Sequence, residues 1–277
     1  MNSRMQGFER GTLMAVWSSK GLWLMHVLGN ALLMVAFFYW TRIPEESGRQ
    51  FALTLVCGLL IALATLWLHS ATFDYFRPAA KPSLKQSFRS SAVRIPAFFL
   101  WMVIFGLGFW LIGQLWRYDE QVGGWIRHLL PGLLRRAVTS RFMFSAASWF
   151  VWFLYFFLWP LLLLPVGAQV AIKSFCGFFS AAAFRLLREP RYWIAYLICF
   201  LVGAYVPYKL AWMTPTRPST LDVEKWSMVL RLGFGYLLMV TAWLVLSSAM
   251  VRTDGSDAGE ALMGEPEREP IGAAPVT

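Results

Sequence analysis

Six stretches of this chain are long, apolar and almost free of charge: 21–40, 51–68, 95–116, 142–172, 192–208 and 232–251. An α-helix crosses a bilayer core with about 17–25 apolar residues, because it satisfies its own backbone amides and carbonyls where no water is present to do so. Every stretch meets that range or exceeds it. The pattern predicts an all-α, polytopic membrane protein. Its six transmembrane helices are expected over 21–40, 51–68, 95–116, 142–170, 192–210 and 229–251, in a single domain spanning 1–251.

Composition agrees. Of 277 residues, 58% are hydrophobic and 14% charged, with mean hydropathy +0.53, whereas soluble domains carry about 25% charged residues. The polar segment 252–277, rich in Gly, Pro, Glu and Ala, has little to bury and is expected to be disordered. The first apolar run is too long for a signal-peptide core, so the N-terminal segment is expected to be retained. A net charge of +10 would fit a nucleic-acid binder. Here, however, the Lys and Arg residues flank apolar spans, where they meet anionic headgroups and set orientation. Nucleic acid is therefore excluded as a partner. Membrane lipids are expected, with a protein partner or a second copy of the chain besides. The three cysteines, Cys57, Cys176 and Cys199, show no paired spacing, so neither a disulfide framework nor a zinc set is expected.

With the N-terminus inside, inner segments carry thirteen Lys and Arg residues and outer loops ten. The bias favours cytoplasmic termini. The basic loop 117–141 dilutes it. That loop also carries Trp125, Leu129, Leu130, Leu133 and Leu134, a pattern suited to lying on a membrane surface. Three inner segments, 8–20, 84–94 and 174–191, each mix basic and apolar residues ahead of a span. They are predicted as short in-plane amphipathic helices on the inner face, heading three repeated units. Phe88 and Val93 would face lipid in one, and Phe175, Phe178, Phe179, Leu186 and Leu187 in another.

The short N-terminal segment, the W-S-S-K-G-L-W run at 17–23 and the F-R-L-L-R-E-P-R-Y-W run at 184–193 make this layout similar to a group of bacterial six-helix inner-membrane proteins. That group includes the membrane domain attached to some glycerophosphoryl diester phosphodiesterases, and the Yip1-like proteins. The resemblance implies a six-helix fold in a bacterial inner membrane. It carries over no catalytic residue, and no phosphodiesterase domain is present in this sequence.

Few residues could carry chemistry. His26 and Asn30, four apart on one helical face, suit either a substrate or proton contact or an interhelical hydrogen bond. His69 and Asp74 close the second span, as a proton-transfer pair or simply as a helix end. Arg231 either snorkels to the outer interface or faces inward to hold an anionic group, with Asp222 and Glu224 as local partners. Gln114 and Gln169 suit interfacial hydrogen bonding. Pro160 and Pro165 bend the long fourth stretch, amid a heavy aromatic load that includes Trp149, Trp152 and Phe156. No nucleophile, metal or nucleotide motif occurs, so no catalytic, metal or cofactor-binding residue is assigned and no cofactor is expected. No Asp or Glu lies in the middle of a span, which argues against a coupled pump. The expected function is that of a non-catalytic protein that contacts lipid or scaffolds a partner. The alternatives are a transporter or permease subunit, and a membrane-embedded lipid enzyme built on His69, Asp74 and Arg231.

Overall fold

The computed structural model describes residues 14, 16–77, 82–213 and 220–252. Of the expected disordered tail, only Arg252 is among them, and most of the 8–20 segment also lies outside. The described elements are helical throughout, with no strand. Helices α1 (Lys20–Trp40) and α2 (Gly48–Tyr75) form a hairpin; a short α3 (Leu84–Ala92) leads into α4 (Ile95–Arg117). Next come α5 (Asp119–Leu129) and α6 (Gly132–Ala137). Helix α7 (Ser140–Phe153) runs through a π-turn (Leu154–Leu158) into α8 (Trp159–Lys173). A 3₁₀ segment (Ser174–Phe179) and α9 (Ala181–Arg188) follow. Helix α10 (Pro190–Phe200) passes through a second π-turn (Leu201–Tyr205) into α11 (Val206–Ala211), and α12 (Leu221–Arg252) ends the bundle. Six helices are long and apolar enough to cross a membrane: Lys20–Trp40, Gly48–Tyr75, Ile95–Arg117, Ser140–Phe179, Pro190–Ala211 and Leu221–Val251. The chain is thus, by length and composition of its helices, a six-span membrane protein. Below, the end of the bundle bearing Lys20, α3, α9 and Arg252 is called the terminal face, and the opposite end the loop face.

Two helices are longer than hydropathy alone predicts. Helix α2 starts at a serine cap, Ser47 accepting from the Gln50 amide at 3.3 Å. It continues seven residues past 68 because His69, Ser70, Thr72 and Asp74 are enclosed by neighbouring helices rather than by solvent. Helix α12 begins at Leu221, with Asp222 and Glu224 in its first turn, where acidic residues complement the exposed amides.

Helices α4 and α8 are joined by reciprocal tryptophan–glycine contacts. The Trp101 ring lies over Gly167, where a Cβ would meet it at 2.5 Å, and its indole N–H donates to Leu163 O at 3.1 Å. The Trp159 ring lies over Gly108, where a Cβ would meet it at 1.8 Å, and donates to Phe105 O at 3.0 Å. Each helix supplies one large ring and one bare backbone patch. In lipid, where the hydrophobic effect does not drive helices together, such close packing at small residues does.

Proline explains the π-turns. Its ring clashes with the carbonyl four residues back and it lacks an amide proton. One π-turn lies directly ahead of Pro160 and the other directly ahead of Pro207, and widening the turn relieves the clash. Pro165 deprives Leu161 O of its usual donor. The Tyr192 hydroxyl fills the gap at 2.7 Å, and the Tyr196 hydroxyl donates to Phe157 O at 3.1 Å. Tyr192 is 2% exposed, so Tyr192→Phe leaves that carbonyl unpaired in a dry interior. The expected cost is about 1–3 kcal/mol. Denaturant-induced unfolding in micelles measures it, and an unchanged midpoint would mean that the carbonyl finds another donor.

The terminal-face segments depart from the simple in-plane picture. Phe88 of α3 is half-buried against α2: its ring stacks edge-on to Trp67 at 5.4 Å, and its carbonyl accepts from Trp67 Nε1 at 2.8 Å. Val93 alone of that pair is open, at 82% exposure. The 174–191 segment is not one helix. Ser174 takes a positive φ of 57°, and Gly177 then lies so close to the Gln169–Val170 backbone that a Cβ would fall 2.4 Å from it. In α9, Leu186 turns into the core, while Phe175 and Phe179 remain exposed. At the loop face, α5 packs along α7, Gly123 fitting against Phe144 and the Met143 backbone. Trp125 and Leu129 point away from the bundle.

Candidate functional site

His26 and Asn30 do share a face, and the structure adds their partner. His26 Nε2 lies 2.5 Å from Thr72 Oγ1 of α2, and His26 Nδ1 lies 3.2 Å from Asn30 Nδ2. Because the Thr72 hydroxyl donates to Leu68 O at 2.8 Å, it accepts from the imidazole. A ring with its proton on Nε2 satisfies both contacts. His69 faces this group, its ring 5.6 Å from that of His26 and 5.0 Å from Trp243 of α12. Tyr236 of α12 donates to Val27 O at 2.5 Å. These contacts make a three-helix polar junction.

Asp74 does not pair with His69. It is buried at 4% exposure and meets Arg94 Nη1 at 2.5 Å and the Ser90 hydroxyl at 2.5 Å. Arg94 also donates to Ala171 O at 3.2 Å, so one ion pair ties α2, α3–α4 and the end of α8. A buried carboxylate therefore lies in the last turn of a spanning helix, where the sequence reads as a loop. Gln169 is likewise enclosed, accepting from Ser180 Oγ at 3.2 Å, rather than interfacial. Arg231 donates to Met213 O and, at 3.2 Å, to Ser227 O. Asp222 instead meets Lys225 at 3.8 Å. Trp243, which touches His69, is twelve residues further along α12, a rise of about 18 Å. His69, Asp74 and Arg231 thus do not converge on one site. Among the described residues no three His, Cys, Asp or Glu side chains assemble as a metal set.

A space large enough for a ligand lies elsewhere among the described residues. A cavity of about 870 Å³ opens in the loop-face half, among the end of α4, the start of α5, α7 with its π-turn, and α10–α11 with theirs. Its walls are aromatic: Trp116, Phe144, Trp149, Trp152, Phe156 and Phe200, with Tyr205 and Tyr208. Its polar groups are Glu120, Ser145, Ser148 and Lys209. The rings support one another edge to face, Trp149 on Trp152 at 5.8 Å, Trp152 on Phe200 at 6.3 Å and Trp116 on Phe156 at 6.3 Å. Lys209 sits 5.5 Å from the Tyr205 ring centroid. Both π-turns contribute lining residues, Phe156 from one and Ala204 and Tyr205 from the other. Small-molecule sites occupy roughly 300–1,000 Å³ and combine apolar walls with a few polar groups; π-turns recur at such sites. The sequence signals for this cavity were Pro160 and the Trp149–Phe156 aromatics. Pro207, Glu120 and Lys209 gave none, being scattered over separate helix ends.

No protein family, curated protein or solved structure matches this chain. The class is defined by the fold itself: a six-span helical membrane protein with an aromatic cavity near one end.

Proposed function

We propose that this chain is a non-catalytic membrane protein that holds a lipid in the loop-face cavity. It would sit in a bacterial inner membrane with both termini cytoplasmic, as its Lys and Arg distribution favours. The observation that carries the reading is the cavity: aromatic walls and a polar rim, bounded by helix ends rich in Trp and Tyr. Such residues settle at the level of lipid headgroups, so a lipid can enter with its headgroup at the rim. The separation of His69, Asp74 and Arg231 speaks against a lipid enzyme built on those three.

A photoreactive phospholipid incorporated with the purified chain tests this. The label is expected on peptides containing Trp149, Trp152 or Tyr205, and Trp149→Ala/Trp152→Ala is expected to remove most of it. Labelling spread evenly over the exposed sides of α1 and α2 would refute the proposal. A C-terminal reporter active only outside the cytoplasm would overturn the orientation.

A further inference from the structure

Among the described residues, five of the six buried side-chain polar atoms without a hydrogen-bond partner lie on two helices that pack together. They are His69 Nδ1 and Ser70 Oγ on α2, and Trp243 Nε1, Ser247 Oγ and Ser248 Oγ on α12. Threonines on the same helices show the ordinary way out: Thr65, Thr72 and Thr241 each donate to the carbonyl four residues back. Ser70, Ser247 and Ser248 do not, although each is 0% exposed. Helical phase brings four of the five atoms to one seam. His69 and Phe73 both meet the Trp243 ring, at 5.0 and 5.7 Å. Ser70 is three residues before Phe73 and so borders the same face of α2. Ser247 is one turn beyond Trp243 on α12. Tyr236, on the same stripe of α12, bonds α1 at Val27 O, so the seam continues the His26 junction toward the terminal face. We infer that bound water occupies this seam and bridges α2 to α12, at a site separate from the loop-face cavity. The donor set selects the ligand. An indole N–H only donates, which suits no cation, and no carboxylate is among the five groups. Water accepts from Trp243, returns its own protons to the serine oxygens and satisfies either tautomer of His69. Water held by about three such bonds is a regular part of protein interiors, and a bridging water is nearly as favourable as a direct bond.

The test uses the full chain in micelles with isotope-labelled tryptophan, and reads magnetisation transfer from water to each indole proton by NMR. Trp243→Phe identifies the Trp243 signal. That signal is expected to show direct transfer from a long-lived water. The Trp101 and Trp159 indoles, bonded to Leu163 O and Phe105 O, are expected to show none. Ser70→Ala combined with Ser247→Ala is expected to remove most of the transfer to Trp243, because the water loses its other holders. No transfer at Trp243 in the unaltered chain overturns the inference, and so does transfer that persists undiminished in a folded double-alanine variant. Should a variant not fold, a density map of the unaltered chain that resolves ordered water decides. Water within hydrogen-bond distance of both Trp243 Nε1 and a serine of the seam upholds the inference. Serines turned onto their own helix carbonyls, with no density between α2 and α12, overturn it. A halide at that position, seen as an anomalous peak after soaking with bromide, overturns it as well.

Discussion

Arg94→Ala is expected to destabilise the bundle by about 3–5 kcal/mol, the usual consequence of stripping one partner from a buried ion pair. The Asp74 and Arg94 side chains are 6% and 19% exposed. Without the guanidinium, a carboxylate is left in a dry setting with only the Ser90 hydroxyl, and Ala171 O at the end of α8 loses a donor. Removing both charges with apolar side chains of similar volume, Asp74→Leu with Arg94→Met, is expected to recover most of the loss, because neither uncompensated charge remains. The exposed Lys225–Asp222 pair is the internal contrast: Lys225→Ala is expected to change stability by no more than about 0.5 kcal/mol. Denaturant titration in micelles reads all three. A loss at Arg94 as small as that at Lys225 would mean that the pair is hydrated and contributes little.

Gly108→Ala and Gly106→Ala differ by two residues on one helix and are expected to differ sharply in effect. At Gly106 a new methyl meets nothing within 4 Å, and alanine favours helix over glycine by about 1 kcal/mol. That variant should be neutral or slightly more stable. At Gly108 the methyl would sit 1.8 Å from Trp159, whose ring is fixed by its bond to Phe105 O. Overpacking typically costs about 1–3 kcal/mol; here it also breaks that bond, so the upper end is expected. In the cycle with Trp159→Ala, the two substitutions should couple by about 0.5–3 kcal/mol. Equal effects at Gly106 and Gly108 would show that α4 and α8 do not meet through this contact.

The six spans were legible because each is a continuous apolar run that only a membrane or a large core can accommodate. Their ends were not. His69, Ser70, Thr72 and Asp74 resemble a loop, yet several of their partners, His26 and Ser90 on other helices and Arg94 in the turn between α3 and α4, are invisible to a local reading. The Trp101 and Trp159 contacts reach 62 and 54 residues along the chain, and nothing at Gly108 or Gly167 distinguishes them from other glycines in apolar runs. The amphipathic segments were half legible. Periodicity locates α3 and α9, but it does not reveal that Phe88 packs on Trp67 or that Ser174 breaks the second segment. The cavity was legible only as an excess of aromatic residues. Its polar groups come from three separate helices, with Glu120 and Lys209 at helix ends far apart in sequence.

A π-turn fits one residue more than an α-helical turn would, so it advances the helix about 100° in rotational phase. The consequence here is that one span presents two different stripes. Ahead of the turn, α7 shows Trp149, Trp152 and, at the turn itself, Phe156 to the cavity; beyond it, α8 shows Leu161, Gly167 and Ala168 to the interior. The chain length between Trp152 and Gly167 is therefore a gauge. Remove a single residue from it and either the aromatic wall or the glycine contact must turn away from its partner. The number of residues in this stretch, more than their chemistry, links the aromatic cavity to the packed half of the bundle.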